Sequence, residues 1–204
     1  MVLTLHHNSM QIFTSIHDPQ LAQLLQTGAV GVLPTDTVYG LVCSAADEQA
    51  AIRMHATKGR EYRPGTIIAA NIEQLVGLGL RPRYLRAVEQ FWPGAVSVRV
   101  PHPAGYLVDV PTGTVAVRIP ADESLRKFLE QTGPLHTTSA NITGEPVATV
   151  LSEAQDYFGD AVDFYVDGGD LSDSPPSTII QIVDDAIEVI RQGAVHIDGS
   201  GRVA

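Results

Sequence analysis

The 204-residue sequence predicts an α/β domain: a mixed, twisted β-sheet flanked by helices. Two observations lead to this class. In the first half, short apolar runs alternate with helical segments that carry their own start and stop signals. In the second half, strand-like runs predominate, and Pro- and Gly-containing segments join them.

The elements follow in order. In "DPQLAQLLQTG", Asp18 before Pro19 starts a helix and Gly28 stops it, and the chain runs on into the strand "AVGVL". After the polar segment "PTDTVYGL", the run "DEQAAIRMHATKGR" places acids at its front and bases at its back, as the helix dipole favours. "TIIAA" reads as a buried strand, and "NIEQLVGLG" and "PRYLRAVEQFW" read as helices. "AVSVRV" and "TVAVRI" alternate in strand fashion on either side of "PHPAGYLVDVPTG". A helix "DESLRKFLEQTG", the polar "LHTTSAN" and a weaker helix near "SEAQDYFG" come next, then the strand-like runs "VDFYVD", "TIIQIV" and "AIEVIR". The acidic "DGGDLSDSPPS" reads as a surface loop.

With 44% hydrophobic residues, the chain can bury one large core, so residues 1–204 are expected to form a single domain. The lone Cys43 excludes a disulfide framework and a cysteine-based zinc cluster, and it suits a reducing cytosol. The start "MVLTLHHNSM" lacks a basic flank followed by a long apolar run, and no window is long enough to span a bilayer. A soluble cytoplasmic protein without membrane contact is expected. The net charge of −10 disfavours a long polyanion as partner. Its distribution is uneven, however. Between Arg53 and Arg99 eight basic residues face three acidic ones, which makes that span +5 and the remainder −15. A local basic zone in an acidic chain fits a small polyanion such as a nucleoside triphosphate.

The polar segments carry the candidate chemistry, because in α/β sheets ligands bind where strands hand over to loops. Lys58 and Arg60, flanking Gly59, offer a point charge and a planar fork to phosphate oxygens, or else they cap the preceding helix. Thr137, Thr138, Ser139 and Asn141 could bind a nucleotide or amino acid, or form a capped turn. Ser177 and Thr178 either begin a strand or face a ligand. There is no GxxxxGK[ST] or GxGxxG phosphate motif, and no HExxH or paired Cys-His spacing for a transition metal. The seven histidines are scattered and read as surface or packing residues, and Cys43 reads as a small buried side chain.

Taken together and in order, "PTDTVYGL", "KGR", "VAVRIP", "TSANITGEP", "PPSTIIQI" and "VIRQGAV" closely resemble the YrdC-like family of threonylcarbamoyl-adenylate synthases, in its short, single-domain bacterial form. The resemblance covers residues 21–195. It implies a concave, locally positive active-site cleft in the sheet. The reaction it implies makes threonylcarbamoyl-AMP and pyrophosphate from L-threonine, bicarbonate or CO₂, and ATP with Mg²⁺ held through the nucleotide. Downstream transferase proteins then modify tRNA beside the anticodon, and the resemblance also allows contact with tRNA itself. By the same resemblance Lys58 and Arg60 contact ATP phosphates as the catalytic pair. Ser139, Asn141, Thr149 and Arg191 complete the ATP site. Thr35, Tyr39, Arg118 and Ser177 form the threonine side.

The chain departs from the family pattern at Glu61, where many members have proline, and at "GTIIAAN", where they carry a strand with a pocket histidine. The extra C-terminal domain of longer relatives is expected to be missing. Two other readings compete with the synthase. One is a non-catalytic RNA-binding or ribosome-assembly module, which the acidic total disfavours. The other is an adenylating relative that uses a different carbamoyl source, chemistry that the resemblance ties to larger multidomain chains.

Overall fold

The computed structural model describes residues 10–59, 65–102, 113–184 and 186–203. Local sequence signals account for most of its helices. Asp18, Asp47, Asn71 and Asp122 each accept a backbone N–H with their side chain. They start α1 (Pro19–Gln26), α2 (Glu48–Thr57), α3 (Ile72–Gly77) and α5 (Glu123–Thr132). The expected helix "PRYLRAVEQFW" is two pieces, α4 (Pro82–Arg86) and a 3₁₀ turn at Glu89–Phe91, which seat Leu85 and Phe91 in the core at separate points. The weaker helical segment forms α6 (Leu151–Phe158).

Ten strands form one mixed sheet: β1 (Gln11–Phe13), β2 (Gly31–Pro34), β3 (Tyr39–Ser44), β4 (Thr66–Ile68), β5 (Val96–Pro101), β6 (Thr114–Arg118), β7 (Leu135–Ser139), β8 (Phe164–Val166), β9 (Thr178–Val183) and β10 (Ala186–Arg191). Their order across the sheet is β1-β8-β2-β3-β7-β4-β6-β5-β9-β10. Three strands differ from the sequence reading. β1 was not foreseen, and "VYGL" and "LHTTS" read as polar segments whereas they form the central strands β3 and β7, paired antiparallel.

Register explains which side is open. The row Cys43, His136, Ile67, Val117, Val98 and Ile180 lies on one face of adjacent strands, and all six are buried. On that face α2 and α6 cover one half of the sheet, through Met54 and Phe158, and α3 and α4 cover the other, through Leu75 and Leu85. One residue along, the row Val42, Thr137, Thr66, Ala116, Arg99 and Gln181 lies on the opposite face. Here α1 and α5 pack Leu21, Leu25, Leu125, Phe128 and Leu129 onto Leu33, Val42, Ile68, Leu135 and Phe164. Beyond β7 the same face turns polar, because residues two apart on a strand share a face and these are threonine, arginine and glutamine. No helix among the described residues covers that stretch, and it is the floor of the candidate site.

Phe128 is 1% exposed at the centre of the α5 contact. Phe128→Ala is expected to cost about 3–5 kcal/mol, seen as a lower urea midpoint at unchanged m-value. Cys43 is fully buried, and burial pushes its thiol up to about 12. A thiol reagent should therefore label the native protein far more slowly than the urea-unfolded chain, and equal rates would contradict the packing of β3.

Candidate active site

Three groups of side chains meet the floor at the ends of β3, β6, β7 and β9. The first is centred on Lys58. Its backbone ends α2, so it does occupy the C-cap, but its side chain turns inward and the residue is only 2% exposed. Nζ donates to the carbonyl of Ser139 and to Asn141 Oδ1, the latter at 3.0 Å. Ser139 Oγ also donates to Asn141 Oδ1, at 2.7 Å, and Asn141 Nδ2 donates to the Glu145 carbonyl at 2.7 Å. Ala148 N–H donates to the Ala140 carbonyl at 2.9 Å, which closes the "SANITGEPVA" segment on itself. A buried ammonium needs such oxygens, since an ion without partners costs several kcal/mol.

The second group joins the β2–β3 turn to the end of β6. Arg118, 3% exposed, donates from Nη1 to Thr37 Oγ1 at 3.2 Å and ion-pairs from Nη2 with Asp36 Oδ1 at 3.0 Å. Thr37 Oγ1 lies 3.0 Å from Thr35 Oγ1, which donates to the Val38 carbonyl at 2.7 Å. Burial lowers the pKa of Arg118 from its ordinary value. Asp36 opposes that shift and the nearby Arg191 adds to it, so two cations sense one another here.

Ser177, at the mouth of β9, is the centre of the third group. Ser97 Oγ, fully buried on β5, donates to Ser177 Oγ at 3.0 Å, and Arg191 Nη2 donates to the Ser177 carbonyl at 2.7 Å. Thr178 does a different job. Its hydroxyl accepts from the N–H groups of Gly193 and Val195 and donates to the Val195 carbonyl, fastening the "QGAV" turn beside β9.

Gly40 connects the first two groups. It pairs with Ser139, and a Cβ there would stand 2.6 Å from Thr137 Oγ1 and 3.2 Å from Thr35 Cγ2. Thr35 and β7 therefore face each other across a position that has room only for glycine. Arg118 and Arg191 join the second group to the third.

Of the residues expected at the site, Lys58, Ser139, Asn141, Thr35, Arg118, Ser177 and Arg191 come together in this way. Thr149 and Tyr39 have their polar atoms engaged elsewhere. Thr149 N–H and Oγ1 both donate to Glu153 Oε2 ahead of α6. Tyr39 is fully buried, and its hydroxyl accepts from Gly168 N–H and donates to the Gly169 carbonyl, holding the acidic loop after β8. Arg60 and Glu61 lie outside the described residues. Sequence reasoning passed over Asp36, Thr37 and Ser97. It also treated the histidines as scattered, whereas His55 and His136 pack edge to face with ring centroids 5.5 Å apart, and His136 Nε2 accepts from Gly65 N–H. The strand alternation of "AVSVRV" was the one signal that could have singled out Ser97 as a polar residue on an otherwise apolar strand.

With the geometry in place, similarity to known proteins is informative. The Sua5/YciO/YrdC family model, described as "Telomere recombination", matches residues 23–193. Threonylcarbamoyl-AMP synthase of Pseudomonas syringae pv. syringae is 34% identical over 180 residues, covering 85% of this chain and 96% of its own. The crystal structure of Pyrococcus abyssi Sua5 complexed with L-threonine superposes with a TM-score of 0.75 at 33% identity, over 85% of this chain and 53% of that longer one. Escherichia coli YciO, at 22% identity, shares the fold with a TM-score of 0.79 over 94% of this chain and 99% of its own. The family model spans most of the sequence and the three polar groups lie on that fold, so this chain belongs to the Sua5/YciO/YrdC family.

Proposed function

We propose that this chain is an L-threonylcarbamoyladenylate synthase, which joins L-threonine, CO₂ or bicarbonate, and ATP into threonylcarbamoyl-AMP and pyrophosphate. The observation that carries the reading is the pair of inward-turned cations, Lys58 against Ser139 and Asn141 at the end of β7, and Arg118 at the end of β6 with Asp36 bound to it and Arg191 nearby. A chain of net charge −10 has little reason to bury Lys58 and Arg118 except to hold anions. The substrates are a carboxylate and a triphosphate. Relatives at 31–34% identity that bear the synthase name support the choice of reaction.

The chemistry suits the groups present. The threonine amine adds to CO₂ and loses a proton to give a carbamate. A carbamate oxygen then attacks the α-phosphorus, the bond from that phosphorus to the β-bridging oxygen breaks, and pyrophosphate leaves. No covalent protein nucleophile is needed, so the protein aligns two anions and steadies the charge on the leaving group. Lys58, with Arg60, is assigned to the phosphates, and Ser139, Asn141, Thr149 and Arg191 to the nucleotide. Thr35, Arg118 and Ser177 are assigned to threonine, Arg118 taking the carboxylate through paired N–H donors, while Tyr39 shapes the wall through the loop it holds.

Among the described residues no three His, Cys, Asp or Glu side chains gather as a metal cage, and Asp36 is engaged by Arg118 and the Ala121 N–H. Triphosphate oxygens and water are donors that suit Mg²⁺ in this reading. Bound with ATP, the ion would neutralise charge on the departing pyrophosphate. The product would go to a transferase that acts on tRNA.

Pyrophosphate release should require threonine, bicarbonate and ATP together. Lys58→Ala should lower its rate by about 10²–10³-fold, the usual effect of losing one preorganised charge contact. Release indifferent to threonine, or unchanged in the variant, would defeat the assignment. Valine should be rejected more strongly than serine, because a site that hydrogen-bonds a hydroxyl discriminates better than one that senses a methyl.

A further inference from the structure

Resting on that reading, we infer that Asp36 is a positioning residue that sets how the site reads the amino-acid substrate. It does so by fixing Arg118 and Thr35 relative to each other. The two belong to different elements: Thr35 to the β2–β3 turn, Arg118 to the last position of β6. Their side chains are joined only indirectly, through Thr37.

Asp36 supplies a second tie, an ion pair. Its Oδ1 holds Arg118 Nη2 at 3.0 Å, and its Oδ2 accepts the N–H of Ala121 at 2.9 Å, just ahead of α5. Both side chains of the ion pair are 3–4% exposed. The carboxylate thus pins the turn to the β6–α5 junction with both oxygens. It also orients the guanidinium, whose Nη1 is taken by Thr37 Oγ1 and whose buried Nε has no hydrogen-bond partner among the described residues. A guanidinium held by one edge in a buried place has lost most of its rotamer freedom before the ligand arrives, and its Nε–H is left for the ligand.

Substituting Asp36 by asparagine tests this with little change of shape. An amide oxygen can accept from Arg118 or from Ala121 N–H, and the NH₂ then faces the other donor, so one tie must break. The expected result in pyrophosphate release is a rise in KM for threonine of about tenfold or more, the loss of one charge-assisted contact. The preference for threonine over serine should shrink, and KM for ATP should stay within about twofold of wild type. Asp36→Glu, which keeps the charge, should recover part of the threonine affinity. If Asp36→Asn fails to fold, Thr37→Val removes only the Nη1 acceptor, and a smaller rise in threonine KM with unchanged ATP KM is expected.

An unchanged threonine KM in a folded Asp36→Asn would overturn the inference. So would equal loss of threonine and ATP affinity alongside a lowered melting temperature, which is what a purely structural role gives. Arg118→Ala separates the levels. If that variant weakens threonine and Asp36→Asn does not, the role given to Asp36 falls alone. If wild type shows no threonine-dependent release, the synthase reading falls and takes the inference with it.

Discussion

The uneven covering of the sheet is the constraint from which the site follows. On one face α2, α6, α3 and α4 pack over the middle of the sheet, and on the other α1 and α5 pack from β1 as far as Ile68 on β4. Strand side chains alternate between faces, so past Ile68 the strands present a second set of residues to a floor that no helix among the described residues covers. Those residues are Thr66 on β4, Ala116 and Arg118 on β6, Ser97 and Arg99 on β5, and Gln181 on β9. Close to the roofed half the floor is sheltered from water, and its polar groups must satisfy one another there. The bonds from Lys58 to Asn141, from Arg118 to Thr37 and from Ser97 to Ser177 meet that requirement. These bonds fix the orientation of the donors, which is what electrostatic preorganisation requires.

Net charge alone misleads about such a site. The chain carries −10, yet Lys58 and Arg118 are buried at the ends of α2 and β6, Asp36 is bound to Arg118, and Arg191 reaches Ser177. Within a partly desolvated recess the near charges dominate, since the acids on the outer surface are screened by water and salt over about a Debye length, roughly 8–10 Å. Excess negative charge outside disfavours a long polyanion without cancelling the local field of the buried cations.

How much of this was legible depended on how local each signal is. Helices announced by Asp18, Asp47, Asn71 and Asp122 are where the sequence places them, because a cap acts within three residues of itself. β3 and β7 were taken for polar segments because their motif residues, Gly40, Thr137 and Ser139, face the floor instead of a core. A strand with one polar face and interrupted apolar content lacks the usual signature. Lys58 illustrates a different limit. Its spacing fitted a helix cap and a phosphate ligand equally; its backbone does cap α2, and no local signal announces that β7 and the turn after it, some eighty residues away, bring Ser139 and Asn141 to its ammonium. Tyr39 goes the other way, since it sits among the motif residues yet its hydroxyl serves Gly168 and Gly169.

The "PTDTVYG" segment can now be divided by physical role. Pro34 ends β2, where it pairs with Tyr39 across the hairpin. Thr35 and Thr37 line the recess with hydroxyls, Asp36 holds the guanidinium, and Tyr39 anchors a distant loop from the buried face. Gly40 looks like the turn residue, but it lies within β3 and its requirement is space. A methyl there would push against Thr137 Oγ1 and Thr35, displacing a floor residue and a site residue together. Overpacking of this kind costs about 1–3 kcal/mol in a well-filled interior, and here the displacement would fall on the hydroxyls that form the recess. Its glycine is therefore set by the close approach of β7 to the hairpin, which also brings Thr35 up to the strand that carries Ser139. Packing and function impose the same residue at this position for one geometric reason.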